Sequence, residues 1–87
     1  MASSIEIISA AQKQILSLPS QAQVEIAQAI DCLANDPRPS KCKKLRGTDL
    51  WRLRLGRYRV VYVIDDKASL VTVIKVALRR EDTYQGL

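Results

Sequence analysis

The sequence predicts an α+β domain in which two N-terminal antiparallel helices pack on one face of a small, mainly antiparallel β-sheet, with a short C-terminal helix or tail. Three observations carry this prediction. Apolar residues recur at helical spacing through the first third of the chain, apolar and polar residues alternate in runs from Leu50 onward, and Gly56-Arg57 forms a two-residue connector between two of those runs. The 87 residues are enough for one modest core and not two, so a single domain over 1–87 is expected.

The elements follow in order. Residues 4–8 read as a short strand. Ser9 with Gln12 fits a capping box, and Ile8, Ala11, Ile15 and Leu18 line one face of the helix that follows. Leu18-Pro19 breaks that helix. Ser20 with Gln23 is a second capping box, Ala22, Ile26, Ile30 and Leu33 form the next stripe, and Asn35-Asp36-Pro37 ends it. Residues 38–44 read as a polar loop. Strands are expected over 50–55, 58–64 and 70–77, and a Gly-X connector at Gly56-Arg57 suits a type II′ hairpin turn.

That turn sets the register. It places Leu55 opposite Tyr58, Arg54 opposite Arg59, Leu53 opposite Val60 and Trp51 opposite Tyr62. Because side chains alternate along a strand, Trp51, Leu53, Leu55, Tyr58, Val60 and Tyr62 share the face that seats the helices. The other face carries Arg52, Arg54, Arg59 and Val61, and extending the pairing brings Lys75 beside Arg59 and Arg79 out on the same side. Like charges facing one another destabilise a hairpin by about 0.2–1 kcal/mol per pair, so stacked cations point to a held anion rather than to a better sheet.

Charge supports the same site. Between residues 38 and 59 lie nine cations (Arg38, Lys41, Lys43, Lys44, Arg46, Arg52, Arg54, Arg57 and Arg59) against Asp49 alone, a local balance of +8. The segment before it carries −3 and the segment after it is neutral, so the net charge of +5 comes from the centre of the chain. Concentrated charge of one sign is the footprint of a polyanion partner, most often nucleic acid.

Composition excludes much else. The chain holds no histidine, which rules out Ser-His-Asp, Cys-His and paired-histidine nuclease chemistry. Cys32 and Cys42 stand ten residues apart with no C-x-x-C, too few soft ligands for a structural zinc, and no metal or cofactor is expected. Two ordinary thiols suit a cytoplasmic chain, Cys32 as a small core residue of the second helix and Cys42 in the loop, with a disulfide between them as the open alternative. No phosphate-binding glycine loop occurs, the first residues lack a secretory signal, and no apolar run approaches the roughly 20 residues of a membrane span.

These residues resemble a known family. Lys44-Leu45-Arg46-Gly47, Leu50-Trp51-Arg52-Leu53-Arg54-Leu55, Tyr58-Arg59-Val60-Val61-Tyr62, then Val76-Ala77-Leu78-Arg79-Arg80 and Tyr84 are similar in order and spacing to the RelE/ParE superfamily of bacterial toxins, most closely its RelE branch. The resemblance covers nearly the whole chain. It implies a microbial ribonuclease-like fold, a cognate RelB-like antitoxin and metal-independent, ribosome-dependent cleavage of mRNA in the decoding site. It assigns catalytic positions to Arg52, Arg54, Arg59, Arg79 (with Arg80 as the alternative) and Tyr84. Two departures stand out: the family often has lysine at the positions of Arg52 and Arg54, and His or Lys at that of Leu78.

Arginine meets part of the demand, because its planar fork pairs bidentately with phosphate. It cannot act as a base, since it stays protonated. Tyr84 either deprotonates the 2′-hydroxyl or stacks on a base. Lys41, Lys43, Lys44, Arg46, Arg57, Lys75 and Arg80 are expected to steer and grip RNA. Structural alternatives stay open: Arg52 and Arg54 as plain strand positions, Arg59 paired with Asp49 or Asp65, Arg79 and Arg80 balancing Glu81 and Asp82, and Tyr84 packed on the sheet. So do two other functions, a ParE-like non-nucleolytic inhibitor of DNA gyrase and a basic nucleic-acid-binding module.

Overall fold

The computed structural model describes residues 3–78. Arg79, Arg80, Tyr84 and the expected C-terminal helix or tail lie outside these residues. The elements are β1 (Ser4–Ile7), α1 (Ser9–Leu16), α2 (Ser20–Leu33), β2 (Cys42–Lys44), β3 (Leu50–Leu55), β4 (Tyr58–Asp65) and β5 (Leu70–Leu78). The strands form one sheet in the order β1-β5-β4-β3-β2. Only the β1–β5 pair is parallel. Among the described residues, β1 thus lies beside β5, and the helical pair crosses one face of the sheet between them in sequence.

The helix stripes are buried as their spacing requires. Ala11 of α1 and Ala22, Ile26, Ile30 and Leu33 of α2 lose nearly all contact with solvent. Ala11, Ile26, Ile30 and Leu33 pack on Leu53, Val60, Tyr62, Val71, Val73 and Val76, the helix-facing residues of three neighbouring strands. Burying each of the larger side chains contributes about 1.5–3 kcal/mol. Ile8 departs from the expected stripe, because it precedes the helix in extended backbone and is 40% exposed.

Neither capping box forms. Ile8 and Pro19 take the N-cap positions with no side-chain cap bond, so Ser9 and Ser20 are already helical. The glutamines serve the chain differently. Gln12 Nε2 donates to the Ile7 carbonyl at 2.9 Å, and Gln23 Nε2 donates to the Leu18 carbonyl at 2.8 Å. Each side chain ties its helix to the segment that enters it. Cys32 also differs from expectation: it is exposed, because the buried stripe runs through Ile30 and Leu33 on either side of it.

The hairpin holds the expected register, with Leu55 opposite Tyr58, Arg54 opposite Arg59, Leu53 opposite Val60 and Trp51 opposite Tyr62. Gly56 has φ +57 while Arg57 stays at negative φ, the signature of a type II′ turn. The segment read as a loop over 38–44 contains a strand, β2, which pairs antiparallel with β3 and adds an edge to the sheet. Cys42 is accordingly a half-buried strand residue facing the core rather than a loop thiol.

Candidate anion-binding face

The face away from the helices is built by register. Lys43, Arg52, Val61 and Lys75 form one transverse row across β2, β3, β4 and β5. Arg54, Arg59 and Ala77 form the next row toward the hairpin turn. Directly opposed side chains share a face with Cβ atoms about 4.5–5.5 Å apart, so Arg52, Arg54, Arg59 and Lys75 flank Val61, and Lys43 stands next in line beyond Arg52. Val61 and Arg59 are 2% and 3% exposed, which makes Val61 an apolar floor and Arg59 a guanidinium set into the sheet. Arg54 stands exposed beside it.

Lys75 reaches this face through an irregularity. From Asp65 to Tyr62 the strand β4 pairs regularly with Leu70 to Val73, and the register then slips so that Val61 faces Lys75. Ile74 is the extra residue, a β-bulge. Had the ladder run on unbroken, Lys75 would oppose Val60 on the helix side. The bulge also sets Ala77, not Lys75, directly opposite Arg59, with Lys75 at the diagonal position. The expected position of Lys75 beside Arg59 is therefore corrected: both lie on this face, but Lys75 stands opposite Val61, one pair further along the strand.

Charge changes along the face. Beyond the central row, Leu50, Val63, Thr72 and Glu6 form a row with one acid, on the edge strand β1. Asp65 ends β4 at the same side, and its Oδ1 accepts a hydrogen bond from the Ala68 amide at 3.1 Å. The positive end thus lies at the hairpin turn and the acidic end at the β4–β5 loop.

The remaining cations are spread elsewhere. Lys44 pairs with Trp51 and so lies on the opposite face from Lys43. Arg46 lies in the exposed loop 45–49, which turns through Gly47 at φ +75, and Lys41 precedes β2 on the surface. Arg57 lies in the hairpin turn, beside a concavity lined by Ala22, Glu25 and Tyr58 on the helix side. Arg38 is a clamp: its guanidinium donates twice to Asp66, at 3.2 and 2.9 Å, while its Cζ lies 5.2 Å from the Trp51 ring centroid. The hydrogen bond from Arg38 holds the Asp66 carboxyl below its usual range. Tyr62, whose hydroxyl donates to the Pro37 carbonyl at 2.8 Å, fastens the same loop, and burial pushes its phenol pKa well up.

Sequence reasoning missed Val61 as the floor of this face. It also missed the strand that aligns Lys43 with Arg52. The signal for the strand was slight, a single apolar residue, Cys42, flanked by lysines. Among the described residues no helix is long and apolar enough to cross a membrane.

Comparison with known proteins gives a consistent result. The family model described as ParE toxin of type II toxin-antitoxin system, parDE, matches residues 5–83. The protein named RelE1 from Methanocaldococcus jannaschii, described as a toxin candidate, is 31% identical over 88 residues, covering 94% of each chain. The archaeal RelE of the RelE–RelB complex from Pyrococcus horikoshii superposes with a TM-score of 0.84 at 31% identity, over 93% of this chain and 99% of that one. The isolated RelE toxin of E. coli superposes with a TM-score of 0.80 at 27% identity, over 97% and 93% respectively. With the family model matching residues 5–83 and a relative 31% identical over 94% of the chain, this protein belongs to the RelE/ParE superfamily of type II toxin–antitoxin toxins.

Proposed function

We propose that this toxin is an endoribonuclease that cuts mRNA in the decoding site of the ribosome and so arrests translation. The observation that carries the reading is the convergence of Arg52, Arg54, Arg59 and Lys75 around Val61 on one sheet face, with Lys43 beside Arg52. Attack by a 2′-hydroxyl on the neighbouring phosphorus builds negative charge on the non-bridging oxygens. Fixed guanidiniums stabilise that charge without reorganising, and losing one such donor costs about 10²–10³ in rate. Arg79, or Arg80, and Tyr84 complete the proposed catalytic set, while Lys41, Lys44, Arg46 and Arg57 extend the RNA and ribosome contacts around the rim. The chemistry needs no metal, and its ribosomal target places it in the cytoplasm.

The proposed partner is a RelB-like antitoxin. The Pyrococcus horikoshii and E. coli relatives were solved in complexes with RelB. A strongly basic, partly apolar surface suits an acidic, amphipathic segment that orders as it binds. In a translation extract, the purified protein is expected to produce codon-phased cuts in mRNA. Arg54→Ala and Arg79→Ala should suppress them by about 10²–10³. Unchanged cutting by both variants, each shown to be folded, would refute the site.

The matching family model favours a second reading, a ParE-like inhibitor of DNA gyrase that cuts nothing. A supercoiling assay separates the two. Inhibition of gyrase with mRNA left intact would replace the nuclease reading.

A further inference from the structure

Scission of an RNA chain by its own 2′-hydroxyl releases a 5′-oxygen, which is a poor leaving group unless a proton reaches it as the bond breaks. Arginine cannot supply that proton, because it stays charged throughout the accessible pH range. Three of the five cations of this face are arginines, so among its described residues the cations able to give up a proton are Lys43, beyond Arg52, and Lys75, beside Val61. The acids of the same face, Glu6 and Asp65, lie beyond the central row at its far end.

The two lysines are not equivalent. Lys43 is exposed on β2, at the edge of the sheet. Lys75 is half-buried on β5, an inner strand, directly opposite Val61 and diagonal to Arg59. Diagonal neighbours lie about 7–8 Å apart, a span that one phosphate group bridges. The bulge at Ile74 is what turns Lys75 away from the core and toward this point. Bulges commonly re-aim a side chain next to an active site.

We propose that Lys75 is the proton donor to the departing 5′-oxygen, an assignment that rests on the ribonuclease reading above. The 2′-oxygen bonds to phosphorus as its proton passes to hydroxide from solvent. The P–O5′ bond breaks, and its electron pair takes a proton from Lys75 Nζ. The products are a 2′,3′-cyclic phosphate and a 5′-hydroxyl, and water reprotonates the amine. Arg52 and Arg59 supply the fixed positive charge beside the phosphate, on either side of the Val61 floor.

The test uses ribosomes programmed with a synthetic mRNA whose scissile linkage carries either the natural 5′-oxygen or a bridging 5′-sulfur. A thiolate leaves without being protonated. Lys75→Arg keeps the charge but cannot donate, so it should cut the oxygen substrate about 10²–10⁴-fold more slowly while binding unchanged. On the sulfur substrate it should match the wild-type rate. Lys75→Met, a second variant, should show the same oxygen-specific defect together with weaker binding. Wild-type cutting of the oxygen substrate by Lys75→Arg, or an equal defect on both substrates, overturns the assignment and leaves the ribonuclease reading standing. If the wild-type protein cuts neither substrate, both fall together.

Discussion

Arg54 and Arg59 stand directly opposite one another across the β3–β4 hairpin, the first exposed and the second buried. Like charges placed directly opposite one another lower the stability of a hairpin. Arg54→Thr removes the repulsion and puts a good strand former in its place. It should raise stability by about 0.2–1 kcal/mol in a urea titration. The same variant should lose about 10²–10³ in mRNA cutting. A variant that is less stable than wild type would contradict the account of this pair.

The five-cation face sets the salt dependence of RNA binding. If each cation neutralises one phosphate, log affinity should fall against log salt with a slope of about −3.5 on single strands. Lys43→Gln, at the exposed edge, should reduce the slope by about 0.7 without regard to RNA sequence. Fluorescence anisotropy with a labelled oligonucleotide at stepped salt concentrations reads both values. A slope near zero would mean that the face does not meet the backbone.

Tyr62 holds the segment between α2 and β2 through its bond to the Pro37 carbonyl. Tyr62→Phe keeps the ring in the core and removes the hydroxyl that makes that bond. The net loss should be about 0.5–1.5 kcal/mol. Hydrogen exchange should quicken at residues 36–41 and leave β4 and β5 as protected as before. Uniform quickening across the sheet would show that the hydroxyl does more than fasten this loop.

The Arg38–Asp66 clamp carries a pH signature. Asp66 has its carboxyl pKa lowered by the Arg38 hydrogen bond, so its charged form is favoured in the folded state. A lowered folded-state value adds stability above the ordinary carboxylate pKa, and that stability is lost as pH falls through the folded value. Wild type should therefore exceed Asp66→Asn in stability at neutral pH, with the gap closing in acid and shrinking in high salt, since both partners face solvent. A gap that persists at low pH would rule out the ion pair as its source.

How much of this was legible in the sequence depended on the range of the interaction. The stripe Ala22, Ile26, Ile30 and Leu33, the alternation through Trp51, Leu53 and Leu55, and the Gly56-Arg57 turn are local patterns. Each is dictated by helical or strand periodicity or by the backbone freedom of glycine, and each stands in the structure. The helix starts were misjudged because a Ser-x-x-Gln pattern does not say whether the serine or the residue before it leaves the helix. Cys32 was misplaced because small apolar residues fit either side of a helix edge. Strand β2 escaped notice because three residues carry too little alternation to stand out from a basic loop.

By itself, the sequence determined the fold class, the faces of the central hairpin and the confinement of excess positive charge to one segment, since all three follow from neighbours within a few positions. Only the tertiary structure decided which cations meet. Lys43 joins Arg52 because β2 pairs with β3, Lys44 is turned to the other face, and Arg38 is drawn off to Asp66. Lys75 faces Val61 because a bulge absorbs Ile74. The physical reason is that a side chain's face is set by pairing register, and a one-residue slip between distant strands reverses it.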